Sequence, residues 1–230
     1  MNLLRSINIA DDRARADVIA AYRPTRKSLQ VVRAVCGLER SSATHVVAPY
    51  GAGKSLAALA GITLLAGDPA ITRQLRARIA AVDPALGAAE PDGATLLLLL
   101  HGACPDLAAE LAERAEVEPG SLSEVLAAIL RRARSDGVVQ IAIVWDEFGQ
   151  HLETLVREGR PEDLLAVQDL AEWAVRRTEP RVTLTTLMHQ GVYHYTRRAS
   201  DTAQSAWRKI EGRFDTLSLI DDGVDAIEML

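Results

Sequence analysis

A lysine and a serine follow two closely spaced glycines in the run Ala48-Pro49-Tyr50-Gly51-Ala52-Gly53-Lys54-Ser55. These residue types at this spacing suit the holding of a nucleotide's phosphates. Successive backbone N–H groups in such a loop curl into an anion-binding nest, and the positive end of a following helix reinforces it. Gly51 and Gly53 permit the torsions and the close approach that a side chain would obstruct. Lys54 is then placed to reach the β- and γ-phosphates of ATP, and the Ser55 hydroxyl to ligate Mg²⁺. Pro49, Tyr50, Gly51, Ala52, Gly53 and Leu56 complete the expected lining. Ala48 stands where such loops usually open with glycine; a β-carbon is tolerable there because that position need not touch phosphate. The competing reading is an ordinary glycine-rich turn, and the flanking elements argue against it.

A second constellation lies downstream. Ile141-Ala142-Ile143-Val144-Trp145 is an apolar run that ends in the adjacent carboxylates Asp146 and Glu147. Ligands of parallel sheets bind at the carboxyl ends of strands. Asp146 is expected to hold Mg²⁺ through water, opposite Ser55, and Glu147 to orient and deprotonate the water that attacks the γ-phosphorus. Taken alone, Asp-Glu after a strand is more often a solvated loop start; paired with the phosphate loop it becomes chemistry. A further apolar segment ends Thr185-Thr186-Leu187-Met188-His189-Gln190. His189, then Gln190, then Thr186 are candidates to sense the γ-phosphate or position the water. His189 and His194 lack the third ligand that a metal centre needs. Arg213 is a candidate arginine finger for a neighbouring subunit, or else half of a local ion pair with Asp215 or Glu211.

Elements must deliver these groups to one place. Thr44 to Val47 is long enough for a buried strand, and Leu56 to Leu65 carries helical apolar spacing. Pro24 and Thr25 open a helix with Leu29, Val31, Val32, Val35 and Leu38; an adenine contact by Tyr22 to Thr25 is as open as a plain helix start. A short helix is expected around Ile71 to Ala80, a second strand over Ala94 to His101, and a helix over Pro105 to Ala115. Ser121 with Glu124 three residues on has capping-box spacing for a helix to Arg134. Val138 to Trp145 reads as a strand buried on both faces. A loop through Gly159-Arg160-Pro161, a helix over Glu162 to Arg177, a strand over Arg181 to Met188, a helix over Asp201 to Glu211 and a fifth strand over Phe214 to Ile220 follow. Strands alternating with helices imply an α/β doubly wound, mostly parallel sheet of about five strands. The strand between the two motifs, together with Glu147, points to the ATPase division with an additional central strand.

Composition narrows the classes. The chain has 230 residues, 48% of them hydrophobic, and a net charge of −5, enough for one sizeable α/β domain. Mild acidity argues against a domain that coats nucleic acid by charge. Arg73, Arg76 and Arg78, and Arg131, Arg132 and Arg134, are the local basic clusters, and such clusters are more often solvated helix faces than phosphate contacts. Cys36 and Cys104 form no Cys-x-x-Cys pair, which fits a reducing, cytoplasmic setting. The densest apolar run, Leu96 to Leu100, is far below membrane-spanning length.

The loop at 49–55, the run Asp146-Glu147-Phe148-Gly149-Gln150-His151-Leu152-Glu153, the strand tip Leu187-Met188-His189-Gln190 and the segment Trp207 to Asp215 together resemble AAA+-like P-loop ATPases. The likeness is to the signal-transducing and origin-recognition types found in large prokaryotic defence- or DNA-associated proteins. Members usually carry glycine where Ala48 stands and lysine or similar where Gln150 stands. The sequence reads as a helical leader over residues 1–40 packing on the core and an ATPase domain over 41–220, and the resemblance, which covers Tyr22 onward, implies that 221–230 starts a helical lid that would continue in a longer protein. It implies ATP with Mg²⁺ as cofactor and other domains or subunits as partners, with DNA one option. Mg·ATP hydrolysis is the leading expectation. A switch that binds nucleotide and barely turns over is the second, and a small-molecule kinase a more distant third.

Overall fold

The computed structural model describes residues 9, 16–158, 162–196, 204, 207, 208 and 210–219. Five strands, β1 (Ala43–Val47), β2 (Ala94–His101), β3 (Val138–Asp146), β4 (Arg181–Met188) and β5 (Asp215–Ser218), form one sheet in the order β2-β3-β4-β1-β5. Every pairing is parallel. In space β4, not β2, separates the strands that lead to the two motifs. The strand between the motifs in sequence, β2, lies at the sheet edge beside β3.

Alternation along the buried strands supplies two cores. Ile141, Ile143 and Trp145 of β3 join Val182, Leu184 and Met188 of β4 in one cluster. Val144 and Leu187 face the other way with Val46 and Leu99. A parallel strand covered on both faces must be apolar at successive positions, which is why β3 reads as a continuous run. The first face carries α6 (Leu107–Arg114), α7 (Leu122–Ser135), α8 (Phe148–Glu158) and α9 (Glu162–Val175). The second carries α1 (Ala16–Ala21), α2 (Arg26–Val35), α3 (Lys54–Ala66) and α4 (Pro69–Ala80). Two short helices, α5 (Pro84–Ala88) and α10 (Val192–Thr196), complete the described elements.

One expectation is revised and one open alternative is decided. The stretch between Glu147 and Gly159, expected as loop, is the helix α8. Phe148, Leu152 and Leu155 lie on its buried side, and this i, i+4, i+7 spacing drives its packing. Tyr22 is 2% exposed, its hydroxyl bonds Ser28, and Thr25 caps α2, so this segment is a helix start. The expected helix over Asp201 to Glu211 lies partly outside the described residues, and the stretch 221–230 wholly so.

Candidate functional site

β1 ends at Val47, and the chain turns through Ala48 and Pro49 into α3. Ala48 is fully buried, and its N–H donates to Met188 O at 3.2 Å, tying the loop's start to the end of β4. A methyl group at this position therefore packs in the core instead of facing a ligand. Gly51 and Gly53 both sit at φ +80°, a left-handed conformation that side chains disfavour. Gly53 is the N-cap of α3 and brings no side-chain acceptor to the helix's first amides. Elsewhere the chain does bring one: Thr25, Asp68, Asp83, Asp106 and Ser121 each cap the helix they precede. The start of α3 is thus left with donors and a positive dipole end for an outside anion.

Lys54, the first residue of α3, is 5% exposed. Its ammonium donates to Ala48 O at 2.7 Å, Pro49 O at 3.0 Å and His189 Nδ1 at 3.1 Å. Burial lowers its pKa, opposed by the negative charges of Glu147 and Asp146. One helical position on, Ser55 Oγ donates to Asp146 Oδ1 at 3.3 Å. Leu56 is half-buried in the same turn and packs on the second core.

Asp146 closes β3 and is 2% exposed. Its Oδ1 also accepts the Glu147 N–H at 3.0 Å, while its Oδ2 is buried with no hydrogen-bond partner. Burial raises its pKa; the Ser55 hydrogen bond pulls the other way and the neighbouring Glu147 charge adds to the rise. An orphaned carboxylate oxygen beside a hydroxyl is a donor pair of the hard-oxygen kind that Mg²⁺ takes. Among the described residues no group of three or more His, Cys, Asp or Glu could hold a metal by itself.

Glu147 sits at φ +55°, a left-handed turn that costs about 1–2 kcal/mol in a residue with a side chain. The turn ends β3 and starts α8, where Gln150 N donates to Glu147 O at 2.9 Å. It aims the Glu147 carboxylate at His189, whose Nε2 lies 2.7 Å from Glu147 Oε2. His189 thereby touches both Lys54 and Glu147, and Tyr50 stacks on its other side. Of the three strand-tip candidates, only His189 enters this cluster. Thr186 is fully buried and bonds His45 Nδ1 at 2.6 Å, on the sheet face that carries α8. Gln190 is exposed, and its N–H donates to Tyr195 Oη at 3.3 Å.

Arg213 does not join the cluster. It precedes the start of β5, at the amino edge of the sheet, whereas the loop leaves the carboxyl edge. Its guanidinium pairs with Glu172 of α9 at 2.9 Å, instead of with Asp215 or Glu211. The basic clusters are largely engaged as well. Arg76 bonds Ala89 O, Arg78 bonds the carbonyls of Ile19, Ala20 and Tyr22, Arg132 pairs with Glu116 and Asp136, and Arg134 bonds Glu179 O. Sequence reasoning missed Tyr195, whose hydroxyl lies against His189; its only signal was an aromatic residue six positions beyond the strand tip.

No protein-family model and no curated protein matches the chain. Among solved structures, the ORC2 protein of Aeropyrum pernix, in its ADPNP and ADP complexes, matches with a TM-score of 0.49 at 13% identity. The match covers 87% of this chain and 51% of that one, so this chain spans about half the length of the archaeal protein.

Proposed function

We propose that this chain is the nucleotide-binding part of an AAA+-like P-loop ATPase, which binds Mg·ATP and hydrolyses it to switch or drive a larger assembly. One observation carries the reading. Ser55 and Asp146, 91 positions apart in sequence, meet at 3.3 Å beside the uncapped start of α3, with one Asp146 oxygen buried and unpartnered. No structural need of the fold explains a buried carboxylate left half-satisfied beside a lysine and an open helix end.

In this reading the amides from Gly51 to Ser55 and the Lys54 ammonium hold the β- and γ-phosphates. Ser55 and Asp146 hold Mg²⁺, which neutralises charge on the phosphate oxygens when bound. Glu147 orients a water in line with the γ-phosphorus and takes its proton as the bond to the ADP oxygen breaks. Lys54 must exchange its contacts with Ala48 O and Pro49 O for phosphate oxygens, a trade of neutral acceptors for charged ones that favours the ligand. Arg213, on the far edge of the sheet, serves a triphosphate only in a second copy of the chain. The assembly is DNA-associated or defensive in this reading.

The contact between Glu147 and His189 favours a second reading, a nucleotide switch with slow turnover. There the glutamate stays on His189, and water is left unactivated. Phosphate release from Mg·ATP separates the two. The ATPase reading expects steady release by the wild type and its loss in Glu147→Gln with nucleotide binding retained. Equal rates in both proteins remove Glu147 from the mechanism, and binding without release by the wild type selects the switch.

A further inference from the structure

Tyr195 belongs to the short helix α10, yet it touches the main chain of His189 and sits over Gly149, two residues after Glu147. Its Oη accepts the N–H of His189 at 3.2 Å and of Gln190 at 3.3 Å, the first two amides beyond the end of β4. Its ring lies in a notch over Gly149, two residues after Glu147 in the first turn of α8. A β-carbon on Gly149 would come within 2.4 Å of the Tyr195 ring and hydroxyl oxygen. One side chain therefore spans from the backbone that carries His189 to the backbone that carries Glu147. The hydrogen-bonded β3–β4 pairing itself runs only to Trp145 and Thr186, so the two turns beyond it are held by side chains.

We propose that Tyr195, seated in the Gly149 notch, is a positioning residue that sets the His189 ring against the Glu147 carboxylate. The geometry also fixes the ring's tautomer. Lys54 can only donate, so His189 Nδ1 accepts; Glu147 accepts, so Nε2 carries the hydrogen. Removing the phenol oxygen leaves two amides without their acceptor and frees the turn to move. The ring then no longer presents Nε2–H to Glu147 in one orientation. The catalytic part of this inference rests on the ATPase reading; the positioning part does not.

The test uses the whole 230-residue chain with ¹⁵N-labelled histidine, comparing wild type, Tyr195→Phe and Gly149→Ala. Ring nitrogen shifts of His189 should report a single Nε2-protonated tautomer in the wild type and a mixture in each variant, while the spectrum elsewhere stays in place. If the His189 signals are the same in all three proteins, the inference is overturned. In turnover of Mg·ATP, Tyr195→Phe should lower kcat about tenfold and leave KM within about twofold. On a His189→Ala background the same change should cost nothing further, because it acts through that ring. A full additional loss on that background also overturns it. A wild type that hydrolyses no ATP would defeat the ATPase reading, and the ring signals would still decide the role of Tyr195.

Discussion

At the start of α7, Ser121 and Glu124 close the helix end on itself: Glu124 Oε2 takes the Ser121 N–H at 2.8 Å, and Ser121 Oγ faces the Glu124 N–H. At the start of α3, Gly53 contributes no side chain, and a lysine follows at once. Both are N-termini of long helices on the same sheet, with the same orphan amides to satisfy. The first is built for stability and needs nothing from outside. The second gives up that stabilisation and collects a buried cation, a buried carboxylate and a left-handed glutamate beside its uncapped amides. Groups that destabilise a protein on their own are tolerated together where a ligand completes them.

Substitutions can break this contrast, and the largest effect belongs to the reacting group. Glu147→Gln should reduce ATP turnover by about a hundredfold or more while calorimetric affinity for Mg·ATP holds. Lys54→Ala removes a charge-assisted contact to phosphate, so affinity should fall by roughly tenfold to a hundredfold in the same titration.

Asp146→Asn separates stability from binding. Burial lifts the Asp146 pKa above its unfolded value, so its charge is a penalty above the folded pKa, relieved as pH falls through it. The ligand-free variant should therefore melt above the wild type at neutral pH, with the gap closing on acidification, while its magnesium-dependent gain in ATP affinity is lost. A lower melting temperature at neutral pH would contradict the account of a carboxylate held for a ligand. The smallest effect sits at the self-closed end. Ser121→Ala should cost about 1 kcal/mol in urea unfolding and leave nucleotide affinity unchanged.

Much of the fold was legible because its signals are local. β2 and β4 carry the boundaries their turn residues and apolar runs announce, and the Thr25 and Ser121 caps follow from side chains that bond amides three residues away. The helix α8 was missed although Phe148, Leu152 and Leu155 mark it, because Glu147 alone separates it from β3 and no turn residues announce its start. The loop and the Asp146-Glu147 pair were legible as types at a spacing. That Asp146 stands opposite Ser55 was expected from the pairing of the motifs; that β4 is the strand lying between β1 and β3 was not. The same limit hid the partner of Arg213, which is on α9 instead of a sequence neighbour, and the bond that takes Thr186 to His45. Tyr195 was illegible for a simpler reason: its role exists only against Gly149, and no spacing rule connects a glycine in one turn to a tyrosine 46 positions later.

The most direct test of the central claim is isothermal calorimetry of the wild-type chain with ATP, with and without Mg²⁺. The account predicts one saturable site whose affinity rises with Mg²⁺ and whose magnesium dependence disappears in Ser55→Ala. A folded chain that gives no binding heat with ATP and Mg²⁺, or the same affinity with and without the ion, would contradict it.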